Sequence, residues 1–435
     1  MKCDVCGTES DFEEAFFKER KSFRNSIRTL CPGCTMRRRK TSAVWFLVLM
    51  FFFGAIGYTV LWFEPSSFMG IFLTSLFLID VFLVLAIVPH ELGHALVGRL
   101  LGWRVFVVSV GIGKQILKFR LSGTIFVFNM LPIGGLTQSA PEDARWYRTQ
   151  RFLMVLAGPA VNAAIAAVIL SIWWVPWHEV GFYWSLPRPA RLCVWANLLV
   201  VVQNLWPHRI KSGIDSDGAQ LIKIFSGKNE DAGKFVAARF VLESVLCRDE
   251  DKDLKGAQDW CDKGLALFPE DFNLLYMNGL LCLDGHNYGR AREIYLQQLL
   301  LETKPGGKRY LLLNNIAYAD ALAGDPKLLP EADAYSKEAY DNAPWTPAYI
   351  GTRGNVLVEM GQFQEGIKLL KESFEKELAV ANKALNACHL AIAFSRMGDR
   401  QQAENYLKLA RQLDPECSLL ERAETELNRG PIKPA

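Results

Sequence analysis

The chain has almost no charge imbalance. Its 49 Lys and Arg face 46 Asp and Glu, a formal +3 over 435 residues. That is too little to draw in nucleic acid, so no nucleic-acid partner is expected. An N-terminal apolar leader is also missing, because the first long apolar run begins only after residue 40; this does not fit a cleaved signal peptide. The ten cysteines form no disulfide-like framework, which suits a reducing compartment for the soluble parts. Nor are the apolar residues evenly spread. Long apolar runs and most tryptophans fall in the first half, and from about Gly218 the chain is charged and water-compatible. At this length about three domains are expected.

Four of the cysteines stand in two CxxC pairs, Cys3 with Cys6 and Cys31 with Cys34. Two such turns can present four thiolates to one tetrahedral Zn²⁺. The polar segment between them is too short for its own core, so metal binding would supply the folding energy. Residues 1–40 resemble a zinc ribbon, with a redox dithiol as the competing use of the same pairs.

Residues 41–218 read as a membrane core. The first span is about Ala43–Phe63, uncharged before Glu64 and preceded by Arg37-Arg38-Arg39-Lys40, the pattern of a cytoplasmic flank. A second span, about Met69–Leu101, carries His90-Glu91-Leu92-Gly93-His94 near its far end. Histidines at i and i+4 share one helix face, so both imidazoles can reach one zinc, with Glu91 beside them as a base. Two histidines and a glutamate at membrane depth are costly unless they serve a function. Val105–Val110 and Ile125–Phe128 read as short strands of a β-hairpin, punctuated by Gly111, Gly113, Gly134 and Gly135. Such a segment can pair with an extended peptide. A third span, about Phe152–Trp174, contains Gly158-Pro159-Ala160-Val161-Asn162; Asn162 needs a partner at that depth. The fourth, about Leu192–Trp206, ends at Asn204-Leu205-Trp206-Pro207 and is followed by Asp215 and Asp217. The HExxH pair supplies two protein ligands where a catalytic zinc usually has three. Topology returns the end of the fourth span to the membrane side of the motif, so the third ligand is expected from Asp217, with Asp215 as the alternative.

This ordered set of HExGH, Gly-Pro-x-x-Asn, and Asn-x-x-Pro followed by Asp-Gly resembles the site-2 protease family of intramembrane zinc metalloproteases over about residues 70–220. The Leu131-Pro132-Ile133-Gly134-Gly135 stretch is similar to that family's loop between the motifs. The resemblance implies His90, His94 and Asp217 as ligands of a catalytic Zn²⁺, Glu91 as the catalytic base, and Asn162 and Asn204 as supports of the site or the substrate. It further implies regulated intramembrane proteolysis. One departure is the longer Lys- and Gly-containing insert between Asn-x-x-Pro and the aspartate. No inserted PDZ-like domain is present between the motifs.

Residues 219–435 show apolar residues at helical spacing. In each unit a Gly is followed by a small residue: Gly285 and Ala291, Gly324 and Ala332, Gly361 and Gly366, Gly398 and Ala403. The Gly-to-Gly step of roughly 37 to 39 residues resembles tetratricopeptide repeats, whose norm is about 34. About four units, with a degenerate one near Ala257, predict a curved α-solenoid whose concave face holds a protein partner or a substrate tail. The array itself holds no catalytic constellation.

The expected molecule is therefore mainly α: a polytopic membrane core of about four spans with a short hairpin, plus a soluble α-solenoid. It would be a multi-pass membrane endopeptidase with one catalytic and one structural Zn²⁺, acting on a membrane-protein substrate. The expected setting is a bacterial inner membrane, with both termini cytoplasmic. The rival reading is an inactive membrane-anchored scaffold using the repeats and the ribbon to recruit partners; the intact Glu91 speaks against it.

Overall fold

The structure is a computed structural model and describes residues 2–7, 17–20, 27–172, 188–209, 215–227 and 231–429. The insert at 210–214 lies outside the described residues. The chain packs as two compact units, Met36–Leu242 and a second made of Met1–Thr35 together with Glu243–Ala435.

In the membrane unit, helix α1 (Pro32–Phe63) contains the apolar stretch Val44–Phe63. A four-residue turn leads into α2 (Phe68–Leu100), which continues through Pro89. The two pack closely through small residues, as helices in lipid do. A Cβ on Gly54 would lie 2.7 Å from the Phe77 ring, and one on Gly57 2.8 Å from the Thr74 amide nitrogen. With α3 (Tyr147–Ile172), these are the three described helices long and apolar enough to cross a bilayer. The expected fourth span is a shorter helix, α4 (Arg188–Leu205), with an apolar stretch of Pro189–Leu205. Prolines bound this stretch at 189 and 207. Its buried face, with Ala196, Asn197 and Val200, is covered by neighbouring helices rather than lipid.

The expected short strands are parts of two longer ones, β1 to β4 being numbered along the chain. Strand β3 (Arg104–Leu121) turns at Ser122-Gly123 into β4 (Thr124–Ala140). Both turn residues have positive φ, 48° and 77°, as a tight two-residue hairpin demands. Each strand bends near its glycines, so the ladder doubles back. Val107–Val110 pairs with Ile125–Phe128 on one side and with Gly135–Gln138 on the other. Glycines at such bends let a strand fold over itself, which short-strand reasoning takes for an end. The inner face, Val105, Val108 and Phe126, packs on Ala95 of α2.

After α4, Ser216 caps α5 (Asp217–Ser226), accepting from the Ala219 amide at 3.3 Å and donating to the Trp206 carbonyl at 2.9 Å. Leu221 and Ile224 of α5 pack on Val155 of α3. In α6 (Ala232–Val245), Phe235 lies 5.0 Å from the Tyr147 ring, with the Arg151 guanidinium 4.5 Å above it. These contacts extend the compact membrane unit to Leu242, past residue 218 where the composition changes.

The second unit is a helical array. After α7 (Leu254–Leu267) come four helix hairpins. They are α8 (Phe272–Asp284) with α9 (Tyr288–Leu301), α10 (Gly307–Ala323) with α11 (Leu329–Asn342), α12 (Pro347–Glu359) with α13 (Phe363–Lys376), and α14 (Val380–Met397) with α15 (Arg400–Leu413). Helix α16 (Leu420–Arg429) closes the array. Ala291, Ala332 and Ala403 are fully buried, so the small residue after each turn is where paired helices meet. The cysteine segment belongs to this unit. Strands β1 (Phe17–Arg20) and β2 (Ile27–Leu30) pair antiparallel, and Cys3 and Cys31 pack against Trp345 of the α11–α12 turn.

Candidate metal centre

Helix α2 presents His90 and His94 one turn apart, ring centroids 4.8 Å apart and planes at 85°. Both are buried, as is Asp217, the first residue of α5. Gly218 allows this approach: a Cβ there would overlap the Leu205 carbonyl at the end of α4. His90 Nε2 is 3.1 Å from Asp217 Oδ2, His94 Nε2 is 3.6 Å from the same oxygen, and the two Nε2 atoms are 3.2 Å apart.

The other ring nitrogens are committed. His90 Nδ1 lies 2.8 Å from Asn162 Oδ1, and His94 Nδ1 lies 2.8 Å from the Met154 carbonyl. Asn162 donates from Nδ2 to the Ala86 carbonyl at 3.0 Å and to Asn197 Oδ1 at 2.8 Å. Its Oδ1 is therefore the acceptor that faces His90. Both histidines then carry their proton on Nδ1 and aim a bare Nε2 lone pair at the other and at a carboxylate. Lone pairs so placed repel unless a cation lies among them. Two imidazoles and a carboxylate are a set that suits zinc. Gly158 keeps the space in front of them open, since a Cβ there would overlap His94 Nε2 and lie 2.8 Å from His90 Nε2.

Glu91 is buried beside the cluster. Its Oε2 accepts from Thr137 Oγ1 at 2.7 Å, which holds the carboxylate against β4. Gly135, two residues earlier, makes room, because a Cβ there would overlap the Glu91 carboxylate. Asp215 stands apart from the histidines and pairs with Lys223 and, at 3.6 Å, with Arg209. Asn204 turns its amide back to the Val200 carbonyl at 2.9 Å, one turn earlier on α4. The resemblance implies Asn204 as a support of the site or the substrate; the amide that reaches the His90 support is Asn197, about two turns upstream on the same helix. The signal for Asn197 was available: an amide inside an apolar helix needs a partner. No pattern in the sequence marks Thr137.

A second cluster joins Cys3, Cys6, Cys31 and Cys34, whose sulfurs all lie within 4.8 Å of one another. The Cys31 amide donates to Cys3 Sγ at 3.3 Å, and Gly7, with φ 75°, turns the first CxxC back so that its amide reaches the Cys3 carbonyl at 3.0 Å.

Fold and site together define a polytopic membrane protein with a buried two-histidine, one-aspartate centre and a glutamate beside it. The family model described as Peptidase family M50 matches residues 78–394, well over half of the chain, and the chain belongs to that family. The zinc metalloprotease Rip1 of Mycobacterium tuberculosis is 25% identical over 172 residues, 36% of this chain and 41% of that relative. A curated protein of Helicobacter pylori strain J99 is 41% identical over 61 residues, 14% of this chain and 17% of that relative. The chain thus spans less than half the length of these relatives. A solved tetratricopeptide protein of Thermus thermophilus matches 44% of this chain and 99% of its own, at 20% identity and a TM-score of 0.36.

Proposed function

We propose that the chain is an intramembrane zinc endopeptidase that cuts membrane-protein substrates. The observation that carries this reading is the convergence of buried His90, His94 and Asp217 donors, the histidines on a helix long and apolar enough to cross a bilayer, with Glu91 against them. His90, His94 and Asp217 would hold the catalytic zinc, and the four cysteines a structural one. Zinc in the first site supplies Lewis acidity toward the scissile carbonyl. Glu91 takes the proton of the attacking water on its carboxylate and later gives it to the leaving amine. Thr137 fixes which carboxylate oxygen is tied to β4 and which is free for that transfer. The Gly135–Gln138 segment of β4 pairs with β3 along one edge. Its other edge, next to Glu91, suits an unwound substrate segment added as a strand. Such unwinding is required because a helical backbone hides its carbonyls. The array engages a protein partner or the substrate's soluble tail, both termini lie in the cytoplasm, and the setting is a bacterial inner membrane.

The test is cleavage of a single-span reporter by the full chain in detergent, with zinc counted in parallel. Wild type should cut with two zincs bound. Glu91→Ala should lose cleavage and keep both zincs, and Asp217→Ala should lose one. Cleavage surviving in Glu91→Ala would sink the assignment.

A further inference from the structure

Six cysteines lie outside the four-thiol cluster, and two of them meet. Cys388 on α14 is fully buried, and its Sγ lies 3.8 Å from that of Cys417. The two stand 29 residues apart, with no spacing motif to announce them. Cys417 sits in the turn between α15 and α16, 8% exposed, with exposed Glu416 and Ser418 on either side. A small solute therefore reaches Cys417 first. Among the described residues, no third His, Cys, Asp or Glu completes a metal-sized cluster with the pair. To bond, the sulfurs must close from contact to the roughly 2.05 Å of a disulfide. The turn that carries Cys417 can supply that movement, whereas α14 is held by its buried Ala384, Ala387 and Ala391.

The surroundings make the two thiols unequal. The Cys388 thiol beside it, with a hydrogen bond from the Leu419 backbone amide, holds the Cys417 thiol below its ordinary 9.0 against the opposing effect of burial. The same contact, together with burial, pushes Cys388 up. Cys417 also stands just before the first residue of α16, where negative charge is favoured. The thiolate is the reactive form, so Cys417 is the nucleophile and Cys388 its resolving partner. Cys282 serves as an internal reference: it is less buried, yet burial pushes its thiol up.

The pair lies where α16 is seated. A helix of ten residues does not persist alone. Leu420 and Ala423 pack into the core that α14 builds. Arg422 donates to the Leu322 carbonyl of α10 at 3.0 Å and to Glu359 of α12 at 2.8 Å. Helix α16 thus straps three of the four hairpins together.

We infer that Cys388 and Cys417 are a peroxide-oxidisable dithiol whose disulfide fastens α16 to α14. The Cys417 thiolate attacks one oxygen of hydrogen peroxide. An S–O bond forms, the O–O bond breaks, and the departing hydroxide takes up the proton that Cys417 released. The Cys388 sulfur then attacks the Cys417 sulfur. The S–S bond forms, the S–O bond breaks, and hydroxide leaves as water with the Cys388 proton. Two thiols are oxidised and the peroxide is reduced to two waters. Exchange with a dithiol reverses the bond, so in a reducing compartment the pair rests as thiols.

The test treats the zinc-loaded full chain in nanodiscs with hydrogen peroxide, alkylates the remaining thiols in denaturant, and maps the peptides by mass spectrometry. Wild type should yield a linked Cys388–Cys417 peptide while Cys282 is still alkylated. The melting temperature of the array should rise by about 5 to 10 °C and fall back with dithiothreitol. Cys388→Ala should stop at a Cys417 sulfenic acid, trapped by dimedone, and Cys417→Ala should leave Cys388 alkylated. Full alkylation of both residues in wild type, at a dose that oxidises Cys282, overturns the site. So does a dimedone adduct on wild-type Cys417 with no linked peptide, which makes Cys388 a packing neighbour only. A linked peptide with no rise in melting temperature overturns the fastening of α16. These three readings are taken on wild type, so a variant that fails to fold does not blunt them.

Discussion

The His90 support runs through three helices, from His90 to Asn162 to Asn197, each link 2.8 Å long. Partners that orient a ligating histidine typically change metal affinity about 10- to 100-fold when removed. Asn197→Leu should therefore weaken zinc at the first site by roughly tenfold and leave the cysteine site unchanged, read by chelator competition. Leu removes the acceptor that Asn162 Nδ2 uses, freeing Asn162 to turn. The Gly158→Ala variant acts more directly, since its Cβ overlaps His94 Nε2; one of the two zinc equivalents should disappear while the cysteine site stays loaded. Thr137→Val should keep both zincs and lower kcat by about ten- to a hundredfold, the worth of one hydrogen bond to a charged group. Zinc loss in that variant would mean Thr137 shapes the centre rather than aiming Glu91. The histidines, the glutamate and an aspartate after the fourth span were readable in advance because spacing on one helix and membrane sidedness constrain them. The choice between Asp217 and Asp215 was not, because it turns on Gly218 packing against Leu205, a contact no periodicity encodes. Thr137 escaped for the same reason, since its role exists only once the bent strand is set against α2, whereas Asn197 announced the need for a partner but not which one.

Among the elements, the spans and helix hairpins were the easiest to anticipate, since lipid length and a repeated Gly-then-small pattern leave few alternatives. The bent hairpin was harder. Its glycines read as strand ends, whereas they let β3 and β4 double back and bring Gly135 and Thr137 to Glu91. The cysteine segment shows the limit most clearly. Its clustering of four thiols was legible from two CxxC turns, but its seat against Trp345 joins residues far apart along the chain. The four-cysteine site has too little apolar surface to fold alone, so zinc should supply its order. Cys31→Ser should lose one zinc equivalent and shift Trp345 emission to the red as its cover loosens. The Glu91-dependent cleavage of a reporter lacking any soluble tail should persist. Unchanged emission would show that Trp345 is held by the array alone, through Tyr310, Ala343 and Tyr349.

At the scale of the whole molecule, the division into two compact units predicts two separable responses to acid. His389 in the array is held neutral. Burial is the main cause, with the nearby Arg422 and Arg396 charges adding to it, and together they depress the imidazole from 6.5 to about 3. The folded array therefore refuses a proton that the unfolded chain accepts below 6.5. This stabilising preference is fully present above that pH and is lost as pH falls from 6.5 toward 3, at about 1.4 kcal/mol per pH unit within the window. The Arg396 and Glu426 pair, 3.0 Å apart and buried, works in the same direction at the lower end. Its carboxylate is held below the ordinary 4.5 by its guanidinium partners against the opposing effect of burial. Urea melts of the full chain in nanodiscs should show an array transition whose midpoint falls steeply between about pH 6.5 and 4. His389→Gln, which keeps a polar group of similar size without the titration, should flatten that slope. The membrane unit should keep its helical signal across the same range, because its spans are held by lipid and by backbone hydrogen bonds that do not titrate. A slope that persists in His389→Gln would move the acid response to the carboxylate pairs of the array and away from its inner face.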